Sequence, residues 1–304
     1  MFFVDIIYLD RIQSTIERNG TEVQHVFAVK IQLFSVRAGF TTPEDTRETF
    51  KKLAEMGYSY GQTAGTYDYM SAEDFAAAAK DAGIEICGTH YNWDRIKNDV
   101  PGTIAYHKAL GTTNIGIGGM PAEARADVNG LLEFIAKFNE MAAIYAKDGF
   151  KLTYHNHSFE FVKFENGKTI FDYLIEGLDP KNTSFVLDTY WCQHGGIDVR
   201  AMIERLAGRV DILHLKDMES CHAYTFDTVV VNANGKPEIK TQTLSAPAII
   251  EVGAGNINFK DIIPLAEKCG VKYFVVEDDR CPAGTYFEVN KRSADYIKKN
   301  LLEK

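Results

Sequence analysis

The sequence predicts an α/β fold: a closed (β/α)8 barrel with a β-hairpin inserted after the seventh strand. Three observations carry the prediction. Short β-branched or aromatic runs alternate with longer stretches of helical period. The runs number eight. No Gly-x-Gly-x-x-Gly follows the first of them, which argues against an open dinucleotide-binding sheet. The 304 residues accord with a single domain, because α/β barrels fill roughly 200 to 300 residues as one unit.

Residues 1–28 form an N-terminal extension that none of the eight units claims. The strands are expected at Val29 to Val36, Tyr58 to Ala64, Ile84 to His90, Asn114 to Gly118, Lys151 to His157, Ser184 to Asp188, Asp211 to Lys216 and Lys272 to Glu277. Between them the period predicts helices over Pro43 to Met56 after Thr41-Thr42, Ser71 to Ala82, Ala122 to Lys147 and Asp198 to Leu206, several opened by Ser, Thr or Asp caps. Gly57, Gly83, Gly149 and Gly270 stand just before strands, where a left-handed residue ends a helix. Met218 to Ala248 breaks the rhythm: Thr228-Val229-Val230-Val231, Asn234-Gly235 and Ile239-Lys240-Thr241 read as a hairpin. It follows the seventh strand, on the side where barrel loops shape substrate access; a bland surface hairpin or a contact in a homo- or hetero-oligomer is the other reading.

Thirty-three basic against 42 acidic residues give a net charge of −9, which opposes the phosphate contacts that nucleic-acid binding depends on. Five scattered cysteines without a Cys-x-x-Cys pair suggest neither a disulfide framework nor a thiolate zinc site, and fit a reducing compartment. The first residues meet Asp5, Asp10 and Arg11 too early for a secretory apolar core, and no run is long enough to span a bilayer. A cytoplasmic protein with neither a nucleic-acid nor a membrane partner is expected.

In a barrel the catalytic groups collect where strands end. The third strand ends in Thr89-His90-Tyr91, the fifth in His155-Asn156-His157 with Glu160 beyond, and the sixth in Asp188 with Trp191 and His194 following. The seventh ends in His214-Leu215-Lys216-Asp217 and the eighth in Glu277-Asp278-Asp279. Alternation puts His155 with His157, His214 with Lys216, and Glu277 with Asp279 on common faces. A lone strand-end His is more often a hydrogen-bonding or capping group than a ligand, but carboxylates and imidazoles at several adjacent ends are costly to desolvate without a cation or substrate. Such an oxygen and nitrogen set suits one divalent metal: manganese first, then magnesium, cobalt or zinc. Lys216 either places its ammonium on a substrate oxygen or forms a surface ion pair. Gly253-Ala254-Gly255 either approaches a phosphate with bare backbone or makes a tight turn. Trp191, Tyr91 and Trp93 form an apolar wall for a sugar or pack under a loop. His90 and His194 complete the substrate-binding candidates, whereas His25, His107 and His222 read as ordinary surface or loop residues.

The segments Tyr154-His155-Asn156-His157-Ser158-Phe159-Glu160-Phe161, Val186-Leu187-Asp188, Ile212-Leu213-His214-Leu215-Lys216-Asp217, Val252-Gly253-Ala254-Gly255 and Val275-Val276-Glu277-Asp278-Asp279 resemble the xylose isomerase-like TIM barrel superfamily, in its sugar phosphate isomerase/epimerase branch. The resemblance runs from about residue 29 to the end. It implies a metal held by carboxylates after the fifth, sixth and eighth strands and a His after the seventh. Asp188, His214 and Glu277 match; the fifth-strand position appears as His155, and Glu160 is expected to supply the missing carboxylate.

What the resemblance implies is an isomerase or epimerase of a small sugar or keto-sugar, working through an enediolate. Glu160, Asp188, His214 and Glu277 are then ligands, with His157, His155, Glu277 and Lys216 around the reacting carbons. The His-Asn-His run favours a rival, a lyase or dehydratase of a keto-inositol or 3-keto-glycoside. An abasic-site endonuclease is disfavoured by the acidic balance, and a non-catalytic sugar-binding barrel by the intact strand-end bases.

Overall fold

The computed structural model describes residues 29–231, 237–280 and 285–302. The N-terminal extension and the Asn234-Gly235 turn lie outside them. Ten strands are described: β1 (Val29–Gln32), β2 (Tyr58–Ala64), β3 (Glu85–His90), β4 (Asn114–Ile117), β5 (Lys151–His155), β6 (Thr183–Asp188), β7 (Val210–Leu215), β8 (Asp217–Val231), β9 (Pro237–Ile250) and β10 (Tyr273–Val276). Eight of them form one parallel sheet in the order β3-β2-β1-β10-β7-β6-β5-β4. The other two, β8 and β9, are the expected hairpin, antiparallel from Asp217 opposite Ile250 to Val231 opposite Pro237.

The helices lie between strands: α1 (Pro43–Glu55), α2 (Ala72–Asp81), α3 (Trp93–Asn98), α4 (Val100–Leu110), α5 (Val128–Tyr145), α6 (Ile170–Gly177), α7 (Thr189–His194), α8 (Val199–Arg205), α9 (Phe259–Lys268) and α10 (Tyr286–Ile297). Thr42, Ser71, Asn92, Asp127, Thr169 and Asp198 each cap a helix by accepting from a first-turn N–H. Several expected elements are trimmed at their ends, and two stop well short of their patterns. The first strand stops at Gln32, whose side-chain oxygen accepts from Phe34 N (3.2 Å) and starts the 3-10 turn Leu33–Gly39. The helix expected from Ala122 divides because Asp127 is extended (φ −152°) and caps a fresh start at Val128. Among the described residues no helix is long and apolar enough to cross a membrane.

β3 and β4, the two ends of the sheet order, meet and close the barrel. Tyr91 N donates to Gly116 O (2.7 Å), Asn114 Nδ2 to Cys87 O (2.9 Å) and Gly116 N to Thr89 Oγ1 (3.3 Å). A side chain at Gly116 would put its Cβ 2.1 Å from Thr89 O, so the seam requires glycine. His107, expected at the surface, is instead fully buried behind this seam. Its Nδ1 lies 2.7 Å from Thr103 O and its Nε2 2.9 Å from Thr89 Oγ1. A carbonyl only accepts, so the proton sits on Nδ1 and Nε2 accepts from the threonine.

Inside the barrel, Cys87, Val186, Ile212 and Val275 pack with Tyr60 and Tyr273 into a plug separate from the main core between sheet and helices. Side chains two residues further along a strand stand above on the same face. Above Tyr60 is therefore Gln62, above Val186 is Asp188, above Ile212 is His214, and Glu277 follows Val275 past the end of β10. The apolar plug thus becomes the floor of a polar layer at the carboxyl ends of the strands.

Burial pushes the His107 imidazole down to about 4. Its unfolded value is about 6.5, so the unfolded chain takes up a proton that the folded chain refuses in that window, and stability falls as pH drops from about 6.5 to about 4, by up to about 3 kcal/mol. Chemical unfolding at about pH 7 and about pH 4.5 should show the wild type losing about 2 to 3 kcal/mol more than His107→Leu. Equal losses in the two proteins would contradict a neutral buried His107.

Candidate active site

Four strand ends converge on one point. His155 closes β5, Asp188 closes β6, His214 lies in β7, and Glu277 follows β10. All four are buried, and one ligand atom from each lies within 4.8 Å of the others. Glu277 Oε2 is 2.8 Å from His214 Nδ1 and 3.9 Å from His155 Nε2; Asp188 Oδ2 is 3.5 Å from His155 Nε2 and 3.7 Å from His214 Nδ1.

The remaining atoms of these side chains are held by the protein. Asp188 Oδ1 caps α7 by accepting from Trp191 N (2.8 Å), which leaves Oδ2 facing the cluster. His155 Nδ1 lies 3.3 Å from Gly118 O; it donates to that carbonyl, leaving the lone pair of Nε2 toward the carboxylates. His214 Nε2 lies 2.6 Å from Gln62 Oε1, which leaves Nδ1 toward Glu277 and Asp188. His155 Nε2 and Asp188 Oδ2 are buried without a hydrogen-bond partner. A bare imidazole nitrogen facing bare carboxylate oxygen is a repulsive arrangement that a cation between them relieves. The set therefore fits a divalent metal with two nitrogen and two oxygen ligands.

Positive charge borders the cluster on one side. Lys216, 1% exposed, places Nζ 2.5 Å from Asp279 Oδ2, 3.3 Å from Glu277 Oε2 and 3.6 Å from Asp188 Oδ2. It is a buried ammonium among three carboxylates, which excludes the surface ion pair. Burial pushes the Asp188 carboxyl up, but Lys216, and after it His214, outweighs burial and holds it at about 2. Glu277 is likewise held well below the carboxylate range, by Lys216 and His214 against burial. Burial lowers His214, yet Glu277 and Asp188 raise it to about 9, so without a metal it carries both ring protons.

Above the cluster opens a cavity of about 380 Å³, lined by Phe34, Ala64 and Gly65, by His90, Gly118, His155 and His157, and by Lys216, Glu277 and Asp279. Gln32 Nε2 donates to His90 Nδ1 (3.4 Å), so the proton of His90 sits on Nε2, which has no partner. Burial, reinforced by His155 and His214, keeps His90 neutral. His157 stacks on Phe159 (5.5 Å, 13°) and stands edge-on to His155 (4.8 Å). Burial and then His155 push it down to about 3, and its Nδ1 has no partner.

Two sequence expectations, Glu160 as a ligand and the aromatic wall, are corrected here, and one alternative left open is decided. Glu160 is outside the cluster. The 3-10 turn Phe159–Phe161 carries it behind β5, where its carboxylate accepts from Tyr154 OH (2.7 Å) and His157 N (2.8 Å). Tyr154 alternates with inward-facing His155 and so faces the helices; burial there raises Glu160 to about 8. Tyr91 is not a cavity residue either, because it packs on Tyr106 and His107 (both 5.0 Å) outside the strands. Trp93 packs on Phe134 and Phe138 (5.4 and 5.6 Å). Of the expected aromatic wall only Trp191 is near, its ring 5.3 Å from His157 and 5.0 Å from Lys216 Nζ. His194 stands behind it, stacked on Tyr190 (5.5 Å). Last, Gly253 and Gly255 do not offer free backbone: their N–H groups donate to Asp217 Oδ2 (2.9 and 3.0 Å). Sequence reasoning missed Gln32 and Gln62; the signal was polar residues on the inward face of the first two strands.

A (β/α)8 barrel with two imidazoles and two carboxylates gathered at its carboxyl ends defines a class of candidate metal-dependent enzymes. The chain belongs to the xylose isomerase-like TIM barrel family, whose pattern matches residues 50–278. An inosose dehydratase from Geobacillus thermodenitrificans (strain NG80-2) is 27% identical over 165 residues, 53% of this chain and 51% of that protein. The chain thus matches about half the length of this curated relative. Among solved structures, a sugar phosphate isomerase/epimerase from Parabacteroides distasonis superposes with a TM-score of 0.71 at 22% identity, over 91% of this chain and 99% of that one. A Mycobacterium smegmatis xylose isomerase-like TIM barrel protein in complex with magnesium gives 0.64 at 15% identity, over 91% and 97%. At these identities the structural likeness speaks for the fold.

Metal content after dialysis against a weak chelator checks the corrected ligand set. His155→Leu should lose the metal and Glu160→Gln should keep it. Gln62→Leu, which frees the His214 ring, should weaken binding by about 10- to 100-fold. Loss of metal in Glu160→Gln with retention in His155→Leu would return Glu160 to the ligand set.

Proposed function

We propose that this protein is a divalent-metal-dependent enzyme that removes the proton next to the carbonyl of a polyhydroxylated ketone and returns it, an isomerase or epimerase of a small keto-sugar. The observation that carries the reading is the pairing of a ligand cluster with buried donors that lack a protein partner. Gln62 Nε2, His90 Nε2 and Trp191 Nε1 are all buried and unpartnered. Unpaired buried donors are costly, by about 1 to 3 kcal/mol each; His90 lines the cavity, where an oxygen-rich substrate satisfies it.

Manganese suits the mixed set of two imidazoles and two carboxylates. When bound, a divalent cation supplies Lewis-acid stabilisation of the enediolate. The chain's own groups do the rest. His157, neutral at physiological pH with Nδ1 bare, takes the proton from a C–H that the neighbouring carbonyl acidifies. Lys216 and the N–H of His90 stabilise negative charge on the substrate oxygens. Trp191 packs behind His157 and fixes its ring. A cytoplasmic, reducing setting accords with Cys87, Cys192 and Cys269 as free thiols.

A second reading, elimination of water or of an aglycone, is favoured by one observation: His155 stands where a second carboxylate base would serve two-sided proton exchange. An imidazole base opposite an ammonium acid, Lys216, is suited to expelling a hydroxyl.

Metal-loaded protein is to be screened against ketoses, keto-inositols and 3-keto-glycosides in deuterated water. Deuterium uptake with an unchanged skeleton is the expected outcome; loss of water or aglycone would select elimination, and no reaction with any ketone would leave a sugar-binding barrel. His157→Gln should keep its metal and fold while exchange falls by about 100- to 10,000-fold. Undiminished exchange in that variant would move the base to Glu277 or His155.

A further inference from the structure

We propose that the substrate carries no phosphate and that the cavity takes a neutral polyhydroxylated ketone. The inference rests on the proton-transfer reading above and adds the charge of the molecule on which it acts.

In (β/α)8 barrels a phosphate is commonly seated on backbone N–H groups of the loops after the seventh and eighth strands and on a helix N-terminus beside them. Among the described residues the protein's own carboxylates take the donors of the first loop and the arginine side chains beside the second. In the loop after the hairpin, Asp217 accepts from Gly253 N and Gly255 N through Oδ2, and from Met218 N (2.8 Å) and Ile257 N (3.1 Å) through Oδ1. The wrap is tight: a Cβ at Gly255 would lie 2.4 Å from Asp217 Oδ1. In the loop after β10, Arg280 is bound by Asp278 through Nε (2.9 Å) and by Glu251 through Nη2 (3.1 Å). Glu251 also takes Arg292 (2.8 Å). The first turn of α10 holds Glu288, a carboxylate already at the helix's positive end.

The cavity repeats the pattern. Among its described lining residues Lys216 is the only Lys or Arg, and it is shared by Asp188, Glu277 and Asp279. Residues 281–284, Cys-Pro-Ala-Gly, bring no cation by sequence. At the rim, Arg37 donates to Phe34 O (2.8 Å) and Asp279 O (3.1 Å) while its guanidinium covers the Phe34 ring (4.0 Å). Three carboxylates against one ammonium leave two negative charges, which a single divalent cation cancels. A neutral ketone preserves that balance. A phosphate dianion adds two negative charges to that balance.

The test pairs neutral ketones with their phosphate esters: D-fructose with D-fructose 6-phosphate and D-tagatose with D-tagatose 6-phosphate, alongside 2-keto-myo-inositol. Deuterium uptake from solvent is followed with the manganese-loaded full chain, and inorganic phosphate is titrated into the same protein by calorimetry. Uptake into a neutral ketone at least about tenfold faster than into any ester is the expected result, a factor that a difference of about 1.4 kcal/mol supplies. Faster uptake into an ester overturns the inference and leaves the proton-transfer reading standing. Uptake into none of them counts against proton transfer, and inorganic phosphate then decides the charge: saturable binding with Kd below about 1 mM overturns the inference, and no binding upholds it.

Discussion

Asp188 and Glu277 stand side by side in a layer that water barely reaches, and two buried carboxylates can stay ionised together only if positive charge lies between them. Without a metal the protein supplies that charge from Lys216, fixed on the far side by Asp279, and from the protonated ring of His214, whose Nδ1 proton a bound cation displaces. What remains uncompensated is the edge facing His155 Nε2, a bare lone pair against bare oxygen. The strand alternation that seats Val186, Ile212 and Val275 in the plug fixes this edge, because the next inward residues must face each other above it. The apolar floor and the polar cluster follow from one constraint.

Carboxylates elsewhere on the same face have a different task. Asp217 and Asp278 turn away from the cavity and bind backbone or guanidinium groups of the loops that follow β9 and β10. Glu160 does the same behind β5, holding the His157 backbone while Phe159 stacks on its ring. The buried acidic residues thus fall into two sets, a few ionised groups at the site and others that lock its walls. A wall fixed in this way positions His157 without a contact between Glu160 and the reacting atoms.

Eight strands and their order were legible in the sequence, since alternating periods and the glycines before strands report backbone geometry directly. Asp188, His214 and Glu277 were legible for the same reason, each being the inward residue at the end of a regular strand. Glu160 was not, because it lies past the end of β5, where a single 3-10 turn decides its side and period 2 no longer applies. Tyr91 and His107 were misplaced because closure at the β3 and β4 seam is made by Thr89, Asn114 and Gly116, a three-residue pattern with no period. For Lys216 the Lys-Asp pair left a substrate contact and a surface ion pair equally open; its burial depends on Asp279, 63 residues away in sequence. Gln62 carries no charge to draw notice, and its importance lies wholly in which nitrogen of His214 it holds.

The central claim is that the ligand set contains two imidazoles, one each from His155 and His214. Pulsed electron paramagnetic resonance of the manganese-loaded protein measures this directly through the nitrogen couplings of the bound ion. The account predicts two coordinated imidazole nitrogens, falling to one in His155→Leu under enough metal to keep the site filled. A single imidazole in the wild type, unchanged by that substitution, would contradict it.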